Sequence, residues 1–124
     1  MTTTITVCDT CKREGWDAAT GETDGERLAA LLEAAAAAHP GVAVRRHSCL
    51  MGCAGACNVA VQGGPGKMAY TLGRFDPEAR DAEGIAAYAA LHADAETGVV
   101  PYRQWPEAVK GHFVTRHPPL DGAG

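Results

Sequence analysis

The chain has no long apolar run. None of its segments reaches the roughly 20 residues needed to cross a bilayer, so no membrane partner is expected. It has no basic stripe either: 11 Lys and Arg are scattered among 15 Asp and Glu, for a formal charge of −4. Nucleic-acid binding needs clustered cations to neutralise phosphates, and this distribution argues against it. The opening Met-Thr-Thr-Thr-Ile-Thr-Val-Cys lacks the basic and apolar regions of a signal peptide, which predicts a cytoplasmic protein kept in a reducing environment. No internal repeat is present. At 124 residues, 46% apolar and 21% charged, the sequence suits one folded domain over 1–124, with a Pro-rich tail over 115–124.

What the chain does have is cysteine in an uneven distribution. Cys8 and Cys11 form one pair, and Cys49, Cys53 and Cys57 form a run with two three-residue gaps. In an oxidising compartment five cysteines would suggest two disulfides and a surplus thiol, whereas clustered cysteines in the cytoplasm bind metal or do redox work. Thiols that serve only as small apolar core residues would be spread through the chain.

The hydrophobic pattern shows how these segments meet. Thr3 to Cys8 alternates and is β-branched, predicting a strand that delivers Cys8 at its end. A loop follows to Asp24. Thr23 and Glu26 have capping-box spacing at the start of a helix over 25–38, which His39-Pro40-Gly41 ends. Val42 to Arg46 reads as a second strand leading to Cys49. Asn58 to Gln62 and Lys67 to Leu72 read as a hairpin around Gly63-Gly64-Pro65-Gly66. Asp76-Pro77 reads as the cap and first position of a second helix with Ala82, Ile85, Ala86 and Ala89 inward, stopping near Gly98. A short helical turn over 106–114 precedes the tail. The expected fold is therefore α/β (α+β), β-α-β-β-β-α with a mixed four-stranded sheet, the thioredoxin-like layout.

In a parallel sheet, loops that follow neighbouring strands emerge at one edge, so both cysteine segments are expected to converge there. The small residues Gly52, Ala54, Gly55 and Ala56 let the backbone curl so that N–H groups face sulfide. Four thiolates suit Zn²⁺ as well as a [2Fe-2S] cluster. Cys49-Leu50-Met51-Gly52-Cys53, followed by small residues and a hairpin, resembles the second cysteine pair of the thioredoxin-like [2Fe-2S] ferredoxins. Cys8 and Cys11 match their first pair, with a narrower spacing. Nearly the full chain also resembles a family of small bacterial proteins labelled predicted metal-binding, with Gly66-Lys67-Met68-Ala69-Tyr70 and Arg116-His117-Pro118-Pro119 as shared motifs.

That resemblance implies a [2Fe-2S] cluster on Cys8, Cys11, Cys49 and Cys53, with Cys57 as the surplus thiol or alternative ligand. It also implies an electron carrier and not an enzyme, a redox partner protein (reductase or oxidoreductase), a homodimer, and a place in cofactor metabolism, cobalamin synthesis included. The residues leave two other functions open. Cys-x-x-Cys after a strand suits a thiol-disulfide oxidoreductase, although a glycine-containing loop follows it where such enzymes have a helix. A zinc module is the other, with His47 as a substitute ligand in a Cys3His set. The triple run departs from the bacterial [4Fe-4S] pattern, and there are no paired Cys-x-His segments of the Rieske type. Lys12, Arg13, Arg45, Arg46 and His47 flank the cysteines and read singly as solvated loop charges. Asp17, Glu22, Asp24 and Glu26 read as an acidic solubilising loop, Trp16 and Trp105 as core, and His92 and His112 as surface residues.

Overall fold

The computed structural model describes residues 2–50 and 55–119. Its strands and helices, in chain order, are β1 (Thr3–Cys8), α1 (Asp24–Ala36), β2 (Val42–His47), β3 (Val59–Gln62), β4 (Ala69–Leu72), α2 (Ala79–Asp94) and β5 (Phe113–His117), with short 3-10 turns at Ala18–Thr20, Tyr102–Gln104 and Glu107–Val109. Among the described residues no helix is long and apolar enough to cross a membrane.

One mixed sheet runs β2-β1-β3-β4-β5. β1 and β2 are parallel, joined through α1 as a crossover of this kind must be, while β3, β4 and β5 add antiparallel. The register aligns Ile5 with Val44 on one side and Val61 on the other, and Val61 with Tyr70. These side chains form one row on the covered face. With Val7, Val59 and Leu72 they meet Leu28, Ala29 and Leu32 of α1 and Ala82, Ile85 and Ala89 of α2 in a single core. α1 starts as expected: Thr23 accepts from the Glu26 N–H at 2.9 Å, and Glu26 accepts from the Thr23 N–H at 2.8 Å.

Three expectations need correction. The sheet has five strands, not four, because residues 113–117 leave the expected turn and tail to pair with β4. β5 is an edge strand in which Phe113 alone is half-buried and the other four residues are exposed, so it has almost no apolar alternation to reveal it. α2 begins later than Asp76 and ends at Asp94, short of Gly98. The Asp76 backbone N–H is bound by the Asp81 carboxylate at 2.8 Å, which folds the entry back on the first turn. His92 is not a surface residue but fully buried, and His112 is half-buried, its ring stacked on Phe75 at 4.4 Å.

His92 follows Ile85, Tyr88 and Ala89 at helical spacing, so it shares their inward stripe. Its ring is satisfied at both nitrogens: Nε2 donates to the Met68 carbonyl at 2.6 Å and Nδ1 accepts from the Thr3 hydroxyl at 2.8 Å. That is the full capacity of a neutral imidazole. Below it, buried Lys67 donates to the carbonyls of His92 and Ala93 at 2.9 and 2.8 Å, using a cation on the last turn of α2.

Burial, with the Lys67 charge in support, pulls the His92 pKa below its usual 6.5, against the opposing pull of the Met68 carbonyl. Below that value the unfolded chain takes up a proton that the folded one refuses. Stability is therefore fully present above the unfolded pKa and falls as pH drops through the window beneath it. Urea unfolding at about pH 7.5 and about pH 5.5 should show the loss, and H92Q, which keeps one donor and one acceptor, should flatten it. An unchanged pH dependence in H92Q would remove His92 as the cause.

Candidate cysteine centre

The ends of β1 and β2 do bring the two cysteine segments to one edge of the sheet. Cys8, the last residue of β1, is paired with His47, the last of β2, so Cys49 follows two residues beyond the same edge. The Cys8 N–H donates to the Asn58 carbonyl at 3.3 Å, which brings the entry to β3 alongside. Cys57 lies just before β3 and is tied to Phe75 by backbone bonds in both directions, at 3.3 and 3.2 Å. Cys8, Cys11 and Cys57 are buried and Cys49 is exposed. Cys53 lies outside the described residues. Among the described residues no three His, Cys, Asp or Glu side chains stand as a group spaced for a metal ion.

The N-terminus of α1 clamps the first pair. The Gly25 N–H donates to the Cys11 carbonyl at 3.0 Å, the Thr23 hydroxyl donates to the Asp9 carbonyl, and the Arg13 N–H donates to the Asp24 carboxylate at 2.7 Å. A Cβ on Gly25 would overlap the Cys8 carbonyl oxygen and touch the Asp9 backbone at 3.0 Å. Glycine is thus required by close approach of two backbones.

Around the sulfurs the arrangement is asymmetric. Burial pushes the Cys8 thiol up, but hydrogen bonds from the Cys11 thiol, the Leu50 N–H, and the hydroxyl and N–H of Thr10 outweigh it. Together they hold the group below the usual thiol range. Burial and the neighbouring Cys8 push Cys11 up to about 12, against the Asn58 N–H, which stabilises its thiolate. Burial and the Asp24 charge push Cys57 up to about 12, opposed by the Arg13 guanidinium. Cys11 has one proton and two takers, the Asn58 Oδ1 at 2.8 Å and the Cys8 sulfur.

Thr10, Gly25, Leu50 and Asn58 are therefore parts of the site that the cysteine spacing did not reveal. Thr10 lies between the two cysteines of the first pair and was open to notice. The others act through backbone direction or closeness, which residue type does not encode. Soft sulfur donors with backbone N–H groups aimed at them are the chemistry an iron-sulfur group or a thiophilic metal takes.

Of the flanking cations, Arg13 pairs with Asp76 at 2.6 Å and Arg46 with Glu33 at 2.9 Å. Lys12 lies over the Trp16 ring at 4.6 Å, and Arg45 donates to Thr6 at 2.7 Å. His47 is exposed, with Nδ1 on the Ser48 carbonyl at 2.9 Å. Trp16 and Trp105 are half-buried.

The clamp gives a direct expectation. G25A should destabilise the fold by about 1–3 kcal/mol, the usual cost of overpacking rigid atoms. At Gly64 an added Cβ meets nothing within 4 Å, so G64A should stay within about 0.5 kcal/mol of the parent. Denaturant midpoints decide it: equal stability of the two variants would refute the clamp.

No curated protein and no solved structure matches the chain. Residues 5–119 match the family model described as protein of unknown function (DUF1636), and the chain belongs to that family.

Proposed function

We propose that this protein is a [2Fe-2S] electron carrier on a thioredoxin-like scaffold, with Cys8, Cys11, Cys49 and Cys53 as ligands and Cys57 as the alternative. The observation that carries the reading is at Cys8: the residue is 1% exposed, yet its sulfur has several protein donors, the N–H groups of Thr10 and Leu50 among them. A sulfur that holds charge away from water needs such donors. The strand order β2-β1-β3-β4, with β1 and β2 parallel and the rest antiparallel, is compatible with the scaffold, β5 being an addition at its edge. When bound, the cluster supplies one-electron transfer.

The chain's own residues hold and shield it. The Leu50 amide from the second segment reaches the Cys8 sulfur of the first. Asn58 presents its N–H to the Cys11 sulfur, and its side-chain amide, turned over, replaces an accepting oxygen with a donating nitrogen once that sulfur has no proton. Cys49 is exposed, which leaves this edge open to a reductase or oxidoreductase partner.

A thiol-disulfide oxidoreductase is the second reading, favoured by the unequal pair: a low Cys8 hydrogen-bonded to a high Cys11. Access argues against it. A disulfide substrate must bring its sulfur into contact with the attacking thiolate, and Cys8 is covered. Electron transfer needs no such contact.

Anaerobic purification followed by iron, sulfide and zinc analysis tests the reading. The expected protein is brown, with equal iron and inorganic sulfide. C8S, C11S, C49S and C53S should each lose most of the iron, whereas C57S should retain it. A colourless protein with stoichiometric zinc, or with no metal and disulfide reductase activity, would replace this function with one of the others.

A further inference from the structure

Thr10 touches both cysteine segments. Its Oγ1 accepts the Cys49 backbone N–H at 3.0 Å and lies 3.6 Å from the Cys8 sulfur. A hydroxyl has one proton and two acceptor lone pairs. A backbone amide only donates, so Cys49 takes a lone pair and leaves the proton for another partner. A protonated thiol at Cys8 can serve as either partner. A sulfur without its proton, as thiolate or as metal ligand, only accepts, and the hydroxyl then points to it. Cys49 itself has φ 52, in the left-handed region that a residue with a Cβ occupies when its surroundings hold it there. The Thr10 contact is such a hold.

We propose that Thr10 is the positioning residue of the cysteine centre: it fixes the second segment against the first through the Cys49 amide and gives its own proton to the Cys8 sulfur. This rests on the redox reading above and deepens it, assigning control of the potential to a side chain that is not a ligand. A reduced centre carries more negative charge than an oxidised one, so a donor to its sulfur favours reduction. Removing the hydroxyl lowers the potential. The sign is the same for a Cys8–Cys11 dithiol, because the reduced Cys8 sulfur is more electron-rich than a disulfide sulfur and is the better acceptor of the Thr10 hydroxyl.

T10V and T10S provide the test. The midpoint potential is measured on the cluster if the wild type contains iron and sulfide, and on the Cys8–Cys11 couple by protein-film voltammetry, which needs no thiol partner at the covered sulfur, if it does not. Thr10 is exposed and valine matches its shape, so both variants should fold, with T10V melting lower only by the loss of the Cys49 hydrogen bond. T10V should shift to more negative potential and T10S should match the wild type. A T10V protein that loses the cluster while T10S keeps it supports the same assignment. Wild-type potential in T10V, an equal shift in T10S, or a wild type with neither couple overturns it. Metal analysis of the wild type reports separately on the cluster reading, so the two failures are distinguishable.

Discussion

A buried sulfur is held toward its charged form only by donors that the protein supplies, and at the end of β1 such donors converge on Cys8. Desolvation alone would drive every buried thiol in the site upward, as it does at Cys11 and Cys57. Cys8 differs because donors from its own turn and from the second segment converge on it: Thr10 and Cys11 on one side, Leu50 on the other. Two neighbouring buried thiols in one small site thus have opposite tendencies: Cys8 accepts the hydrogen bond that Cys11 donates and has the Leu50 and Thr10 donors besides, whereas Cys11 has the Asn58 N–H against burial.

The fold supplies this convergence in steps. The parallel pairing of β1 and β2 sets Cys8 beside His47, and from that register the next few residues of each chain segment emerge together. β3, on the other side of β1, brings Asn58 and Cys57 to the same edge. α1 then closes the turn from above, through Gly25 on the Cys11 carbonyl and Thr23 on the Asp9 carbonyl. The far end of the sheet carries a separate polar arrangement, with His92, Thr3 and Lys67 satisfied inside the core. It stabilises the fold at a distance from the cysteines.

Much of this was legible from the residues. β1 has its expected bounds because β-branched alternation between a flexible start and a cysteine turn leaves little ambiguity, and α1 was marked by a capping box and a terminating proline. The emergence of the two cysteine segments at one sheet edge also followed from strand order, but the buried thiol beside Cys8 and Cys11 is Cys57, which the spacing had set aside as surplus, while Cys49 is exposed. β5 was not legible, since an edge strand with one half-buried residue lacks a periodic signal. His92 was misplaced because residue type suggested the surface, although its spacing from Ile85 and Ala89 pointed inward. The backbone donors at Cys8, from Leu50 and Thr10, depend on where an N–H points, which no residue name records. Cys53 lies outside the described residues.

Electron paramagnetic resonance of the anaerobically isolated, dithionite-reduced protein decides whether a cluster sits on Cys8. A low-temperature signal should appear on reduction, integrate to the cluster content, survive in C57S and be lost or altered in C8S. A protein that stays silent on reduction, or a signal indifferent to C8S, would contradict it.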